Sequence, residues 1–87
     1  MGGENPIFKP ATRQRRYNDY LFEIYDRYGR IIFETSDPNE GWNGQLKGQK
    51  RYAAEGVYVY RLSLENGEGV AIIKHGHVTL LDYRGVE

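Results

Sequence analysis

The fold is decided by residues 20–35, which read YLFEIYDRYGRIIFET. Two runs rich in aromatic and β-branched residues, 20–26 and 30–35, flank the short loop Arg27-Tyr28-Gly29. Such runs favour strands, and a glycine in so short a loop can take the left-handed conformation that a tight hairpin requires. The stretch therefore predicts a β-hairpin with Gly29 at its tip.

A second pair of β-type runs lies at residues 57–64 and 70–81. Between them Asn66-Gly67 predicts a type I′ turn, because both central residues of that turn need positive φ. Gly76 interrupts the last run and predicts a bulge or bend there. No window has apolar residues at the i, i+3, i+4, i+7 spacing of a helix, so the sequence predicts an all-β domain.

The alternation of apolar residues indicates which side of each strand is buried. The residues predicted to face the core are Tyr20, Phe22 and Ile24, then Tyr58, Tyr60, Leu62 and Leu64, and finally Val78 and Leu80 with Gly76. Ile7-Phe8 and Trp42 supply further short strands. Packing these faces together gives the predicted fold, a small antiparallel β-sandwich of about six to seven strands.

Length and composition limit the classes of function. A chain of 87 residues forms one domain, which is too small for a cleft between two lobes. Twelve basic and twelve acidic side chains balance, so the long-range field of a non-specific binder of nucleic acid or anionic membranes is missing. There is no cysteine for a disulfide or a thiolate metal site. No apolar run reaches about eighteen residues, so we expect no membrane insertion.

Two features near the N-terminus leave alternatives open. Arg13, Arg15 and Arg16 lie close together with Lys9 nearby, which indicates a solvated loop or a contact with phosphate or an acidic glycan. The first residues lack the pattern of a signal peptide, so the chain is either cytoplasmic or a piece of a larger protein. Gly2-Gly3 after Met1 favours the second alternative.

Few residues could carry catalysis or bind a metal. His75 and His77 share one face of the last run at a spacing that can hold a metal, but two ligands are too few unless Asp19 or Asp82 adds another. Residues 37–40, Asp-Pro-Asn-Glu, resemble an acidic calcium loop without its spacing. Neither a nucleophile motif nor a cleft for paired carboxylates is present. We therefore predict no catalytic residue, no metal and no cofactor, and expect that the chain is not an enzyme.

Trp42 has two interpretations. In a glycine-rich loop an exposed tryptophan can stack on a sugar or act as a hot spot for a partner. Alternatively, the flanking glycines let the backbone bend so that the indole closes the open end of a sandwich. The second interpretation is favoured, because an exposed platform usually brings several aromatic residues onto one outer face.

Five motifs occur in a recognisable order. They are residues 24–35 (IYDRYGRIIFET), 41–44 (GWNG), Gly48, 56–60 (GVYVY) and 74–81 (KHGHVTLL). This order resembles the gliding-motility-associated C-terminal domain, the type B sorting domain of the type IX secretion system. The resemblance covers residues 7–81; residues 1–6 are then a clipped first strand or a non-native start, and 82–87 a tail. Asn43 stands where the family prefers Asp, and Tyr28 where it prefers Trp.

The resemblance implies an immunoglobulin-like sandwich at the C-terminus of a large exported protein, of which this chain is a fragment without the signal peptide. The implied partners are the outer-membrane secretion translocon and a surface-attachment machinery, and the implied location is the cell surface or the medium after passage through the periplasm. The alternative is an immunoglobulin-like binding module of an adhesin, with a polysaccharide or protein ligand. An assembly-scaffold role rests on fold analogy alone.

The motif residues divide into scaffold and recognition candidates. The expected scaffold is Gly41, Trp42, Asn43, Gly44, Gly56, Tyr58, Tyr60, Gly76, Val78 and Leu80. The expected recognition residues lie at the hairpin tip and on the last strand, because a translocon must contact exposed groups and the last strand is expected near a sheet edge. They are Arg27, Tyr28, Gly29, Arg30, Lys74, His75 and His77.

Overall fold

The chain forms one four-stranded antiparallel sheet. The computed structural model describes residues 7–12, 16–46, 48 and 51–80. The strands are β1 (Tyr17–Tyr25), β2 (Ile31–Thr35), β3 (Gly56–Asn66) and β4 (Ala71–Leu80), in the spatial order β2-β1-β3-β4. The all-β prediction is confirmed, and within these residues no helix is present. Four strands in one sheet are fewer than the six to seven of the predicted sandwich, which stays a prediction.

Both hairpins close with the same turn. Gly29 has φ 83°, as predicted, and Gly69 has φ 80° at the equivalent position of the second hairpin. Gly29 N–H donates to Asp26 O and Gly69 N–H donates to Asn66 O, each over 3.0 Å. A type I turn followed by a left-handed glycine joins the strands in each case. The predicted type I′ turn at Asn66-Gly67 is therefore wrong, because Gly69 supplies the positive φ.

The core lies on one face of the sheet, which we call the core face. The buried apolar residues are Tyr20, Phe22, Ile24, Trp42, Ala53, Tyr58, Leu62, Leu64 and Leu80. The cross-strand pairs Phe22 with Leu62 and Tyr58 with Val78 place members of the predicted core set side by side. The alternation prediction is thus confirmed for the buried face of β1, β3 and β4.

Segments outside the sheet cover this core. Phe8 and Trp42 form an antiparallel bridge, in which each N–H donates to the other residue's carbonyl over 2.8 Å. Gln45 and Tyr52 form a second isolated bridge. The strands predicted at Ile7-Phe8 and at Trp42 are therefore limited to one bridge between them. Through this bridge the N-terminal segment is held against the Trp42 segment, over the sheet.

Gly76 lies in a regular part of β4. The pairing of β3 with β4 runs without a register shift from Gly56–Leu80 to Glu65–Ala71, and Gly76 is opposite Tyr60. A Cβ atom at Gly76 would lie 2.9 Å from Cε2 of Tyr60, because the tyrosine ring lies over the glycine. The predicted bulge at Gly76 is wrong, and the glycine is explained by this cross-strand ring. Register shifts lie instead in β1, between Asn18 and Leu21 in the pairing with β3 and between Ile24 and Tyr25 in the pairing with β2.

Candidate functional site

Asp26 organises the tip of the first hairpin. Its Oδ1 accepts the N–H groups of Tyr28 and Arg30, each over 2.9 Å, and its Oδ2 accepts Nε of Arg30 over 3.0 Å. Asn66 does the same in the second hairpin, where Oδ1 accepts from Glu68 N–H and Val70 N–H. A carboxylate or amide oxygen at this position satisfies turn amides that would otherwise lack a partner. The tip is therefore a defined structure.

The tip exposes an aromatic ring between two guanidinium groups. Tyr28 is 69 % exposed. The guanidinium carbons of Arg27 and Arg30 lie 5.1 and 5.4 Å from the centre of its ring, within the range of cation–π attraction. Arg27 Nη2 also donates to Tyr28 Oη over 3.0 Å. We call Arg27, Tyr28 and Arg30 the Arg–Tyr tip.

The Arg–Tyr tip forms one wall of a groove of about 430 Å³. The opposite wall comes from residues 51–58, which include Arg51, Tyr52 and Glu55. Tyr58 is buried at the base, its hydroxyl donates to Ala54 O, and burial raises its pKa, an effect to which the charge of Asp26 adds. The sequence predicted the tip but not the groove. Arg51-Tyr52 was the available signal, since it repeats the arginine–tyrosine pair of the tip.

The recognition candidates on β4 do not share one surface. His75 is opposite Arg61 and His77 is opposite Val59, so both histidines lie on the sheet face away from the core, which we call the outer face. Lys74 lies on the other side, where Nζ donates to Ala11 O over 3.3 Å. β4 is an edge strand of the described sheet, as expected. The structure therefore separates Lys74 from the two histidines.

β3 lies between the first hairpin, β1 and β2, and the edge strand β4. Tyr25, Val59 and His77 form one cross-strand row near the tip. Neighbouring strands are about 4.8 Å apart, so this row spans roughly 10 Å from Tyr25 to His77. His77 is thus the recognition candidate on β4 that shares a cross-strand row with Tyr25, the residue beside the tip.

The scaffold residues make the contacts that their types suggest. Trp42 is 2 % exposed, its Nε1 donates to Gln45 O over 2.9 Å, and its ring packs edge-on against Tyr58. Trp42 thus lies in the core and offers no exposed stacking platform. A side chain at Gly41 would meet Phe8 O at 2.8 Å, which explains the glycine there.

The rest of the scaffold set also lies at structural positions. Asn43 Oδ1 accepts Gln45 N–H over 3.0 Å, which an Asp at this position could equally do. The remaining members are Gly44, with φ 98°, Gly56 at the start of β3, Tyr60 against Gly76, and Val78 and Leu80 on the core face.

The candidate calcium loop, residues 37–40, has structural partners. Asp37 Oδ1 accepts Asn39 N–H over 2.9 Å, and Thr35 Oγ1 donates to Glu40. Among the described residues, no group of three or more His, Cys, Asp or Glu side chains is placed to hold a metal ion. Asp82, the tail 82–87, the start 1–6 and the arginines Arg13 and Arg15 lie outside the described residues. No described helix has the length and apolarity to cross a membrane.

The acid sensitivity of the tip provides a test of the role of Asp26. The N–H of Arg30 holds the pKa of this carboxyl below its ordinary value of 3.8, with help from Tyr28 N–H and the Arg30 side chain. Because the pKa is lowered on folding, the carboxylate stabilises the fold above 3.8, and that contribution is lost as the pH falls through the lower, folded value.

We expect Asp26→Asn to be less stable than the parent chain near neutrality, and the difference to vanish in acid. Denaturant unfolding between about pH 6 and about pH 2 measures it. The amide keeps the oxygen acceptor that Asn66 provides in the second hairpin, so the turn itself is retained. A stability difference that does not change with pH would contradict this role of the Asp26 carboxylate.

The fold and the site define a small all-β domain with an exposed Arg–Tyr tip beside a groove. A family model described as the CHU_C type IX secretion signal domain matches residues 2–80. The chain belongs to this family, which agrees with the resemblance seen in its motifs. The domain is thus a type IX secretion signal and acts with that secretion system in export. No curated protein and no solved structure gives a significant match to the chain.

Proposed function

We propose that this domain is the non-catalytic C-terminal sorting domain of a larger exported protein. The outer-membrane translocon of the type IX system recognises it and passes the cargo across the outer membrane. The cargo is then attached to the surface by a dedicated machinery or released. Membership of the secretion signal family supports the sorting role.

The placement of the motif residues supports a domain that is recognised and does no chemistry. Its glycines and buried aromatic residues maintain the fold, and one cluster of charged groups lies at the Arg–Tyr tip and its groove. The Phe8–Trp42 and Gln45–Tyr52 bridges support, in this proposal, a second layer of an immunoglobulin-like sandwich.

One observation carries the choice of recognition surface: Tyr28 is 69 % exposed although its position is fixed by hydrogen bonds around it. Exposed tyrosine and arginine are the residue types that dominate protein interfaces. A partner that binds a preorganised group loses less conformational entropy than one that must order it. The Arg–Tyr tip and its groove are therefore the proposed primary contact.

The last strand is the proposed second contact. β4 is an edge strand, and His77 lies in the row that leads from Tyr25 beside the tip. An edge strand offers backbone groups to a partner strand. His75 lies further along the same outer face, whereas Lys74 faces the other side and is left out of this contact.

The test uses the two equivalent hairpins of the chain. Residues 1–87 are fused to a reporter with a signal peptide and expressed in a bacterium that has the type IX system. The double variant Arg27→Gly with Tyr28→Glu places the residues of the second hairpin, Gly67 and Glu68, at the first tip. We expect this variant to fold and to leave the reporter in the periplasm, because the turn is retained and the Arg–Tyr tip is lost.

The control is the reciprocal change at the second hairpin, Gly67→Arg with Glu68→Tyr. This variant keeps the Arg–Tyr tip in place and should be exported like the parent fusion. Circular dichroism and thermal unfolding of the isolated domain show that both variants fold. Normal export of the folded first variant would show that the tip is not read by the translocon.

The adhesin alternative now has less support. The exposed Trp42 platform that it would use is absent, since Trp42 is 2 % exposed. The remaining aromatic candidates for ligand binding are Tyr28 and Tyr52 of the groove. A glycan array or calorimetry with the isolated domain tests whether they bind a ligand. Binding that depends on these tyrosines would favour the adhesin module.

A further inference from the structure

The outer face of the sheet carries exposed apolar side chains. Ile31, Val57, Val59 and Ile73 are 43 %, 58 %, 39 % and 56 % exposed. Val59 lies opposite His77, and Ile73 lies opposite Ser63 in a parallel row on the far side of Arg61. Ile31, Tyr25 and Val59 form one cross-strand row with Val57 beside it, and such a contiguous patch indicates a surface that another protein covers.

A row of charged and polar groups crosses the middle of this face. Cross-strand pairing places Glu34, Glu23, Arg61 and His75 side by side on β2, β1, β3 and β4. We call these four residues the charged row. Glu23 accepts hydrogen bonds from Tyr25 Oη over 2.9 Å and from Arg61 Nη1 over 3.4 Å. The row therefore carries carboxylates on the two strands at one side, and the guanidinium of Arg61 and the imidazole of His75 on the two at the other.

This order of charges is complementary to itself. Consider a two-fold axis that runs parallel to the strands above the outer face, between β1 and β3. This axis places the outer face of a second copy against the first, with the strand order reversed, so that β2 lies over β4 and β1 over β3. Glu34 of one copy then lies over His75 of the other, and Glu23 over Arg61. The apolar rows on either side of the charged row fall on the same rows of the second copy. A two-fold interface of this kind uses one patch twice.

We propose that two copies of this domain associate through their outer faces about this axis. The exposed apolar side chains are covered in the contact, and the two exposed ends of the charged row, Glu34 and His75, set its orientation. We expect a weak association that is favoured where cargo is concentrated. The contact does not use the residues of the Arg–Tyr tip, but Val57 also lines the groove, and His75 and His77 belong to the proposed second contact.

The first measurement is sedimentation velocity of residues 1–87 over a wide concentration range. We expect a reversible monomer–dimer equilibrium. Salt should weaken it only slightly, because apolar contacts supply most of the attraction. A chain that remains monomeric at the highest soluble concentration would overturn the proposal.

The second measurement exchanges the charges at the two ends of the row. Glu34→Lys and His75→Glu each place a mismatched pair in the dimer, twice by symmetry, and each should weaken association by roughly threefold to tenfold. Both variants should fold, because within the same chain the new lysine would face Glu23 and the new glutamate would face Arg61. The double variant should associate like the parent chain, because the exchanged charges match again.

Mixing the two single variants gives the most specific result. In the mixed dimer the introduced lysine of one copy lies over the introduced glutamate of the other, and the second pair is the parental Glu34 over His75. The mixture should therefore associate more tightly than either variant alone. Lys74→Glu, on the other side of β4, is the control and should not change association. If mixing restores nothing, the two outer faces do not meet about this axis, and the proposal fails.

Discussion

The Trp42→Ala variant is expected to lose about 3–5 kcal/mol of its free energy of unfolding. Trp42 is one of the largest fully buried side chains, and its backbone forms the bridge to Phe8. Truncation removes the edge-on contact with Tyr58, whose ring centre is 5.3 Å away, and leaves Gln45 O without the indole donor. A small domain has a total stability of about 5–15 kcal/mol, so this loss is a large fraction of the total.

Denaturant unfolding of the isolated domain measures this change. Trp42→Phe should fall between the parent chain and Trp42→Ala, because it keeps much of the ring volume and loses the donor. Tyr28→Ala is the control, as it removes an aromatic ring that is 69 % exposed, and its stability should stay within about 0.5 kcal/mol of the parent. A loss below about 1 kcal/mol for Trp42→Ala would contradict the core position of Trp42.

The second large effect is expected at Gly76, where Gly76→Val should cost about 1–3 kcal/mol. The new Cβ would lie 2.9 Å from the Tyr60 ring, which cannot move away freely. Phe8 and Phe22 pack against this ring, with ring centres 5.1 and 6.5 Å from it. The strain would therefore pass to the core face and to the segment that covers it.

A double-mutant cycle separates this strain from an effect on the strand itself. Valine favours strands, so in the Tyr60→Ala background Gly76→Val should cost nothing or stabilise β4. Gly67→Ala is the matched glycine control, because its Cβ would meet Arg16 only at 3.6 Å, an ordinary contact, and its stability should change little. An equal cost of Gly76→Val in both backgrounds would rule out the Tyr60 ring as the cause.

The strands and the buried face were predictable because they depend on local patterns. Alternation in β1 placed Phe22 and Ile24 correctly, although a register shift precedes them in the strand. Gly29 was correctly placed at positive φ, since a three-residue loop between two strands leaves few other solutions. The short loop also predicted that the hairpin tip is exposed, and so the tip was included among the recognition candidates.

Predictions failed where two local conformations were available and a contact outside the motif chose between them. Asn66-Gly67 suits a type I′ turn, but capping by the Asn66 side chain and the left-handed Gly69 favour the other turn. Gly76 suggests a bulge in isolation, but the Tyr60 ring on the neighbouring strand explains it. The groove was missed because its walls come from hairpin residues and from residues 51–58.

The sequence by itself determined the all-β class, the buried face of each strand, the first hairpin and the family of the chain. Periodicity, turn chemistry and motif order suffice for this, because they can be read along the chain without knowledge of long-range contacts. Only the tertiary structure decided the spatial order β2-β1-β3-β4, the regular pairing at Gly76, and that Glu34, Glu23, Arg61 and His75 form one row. Those facts depend on strand order and register, which are set by packing between residues far apart in the chain.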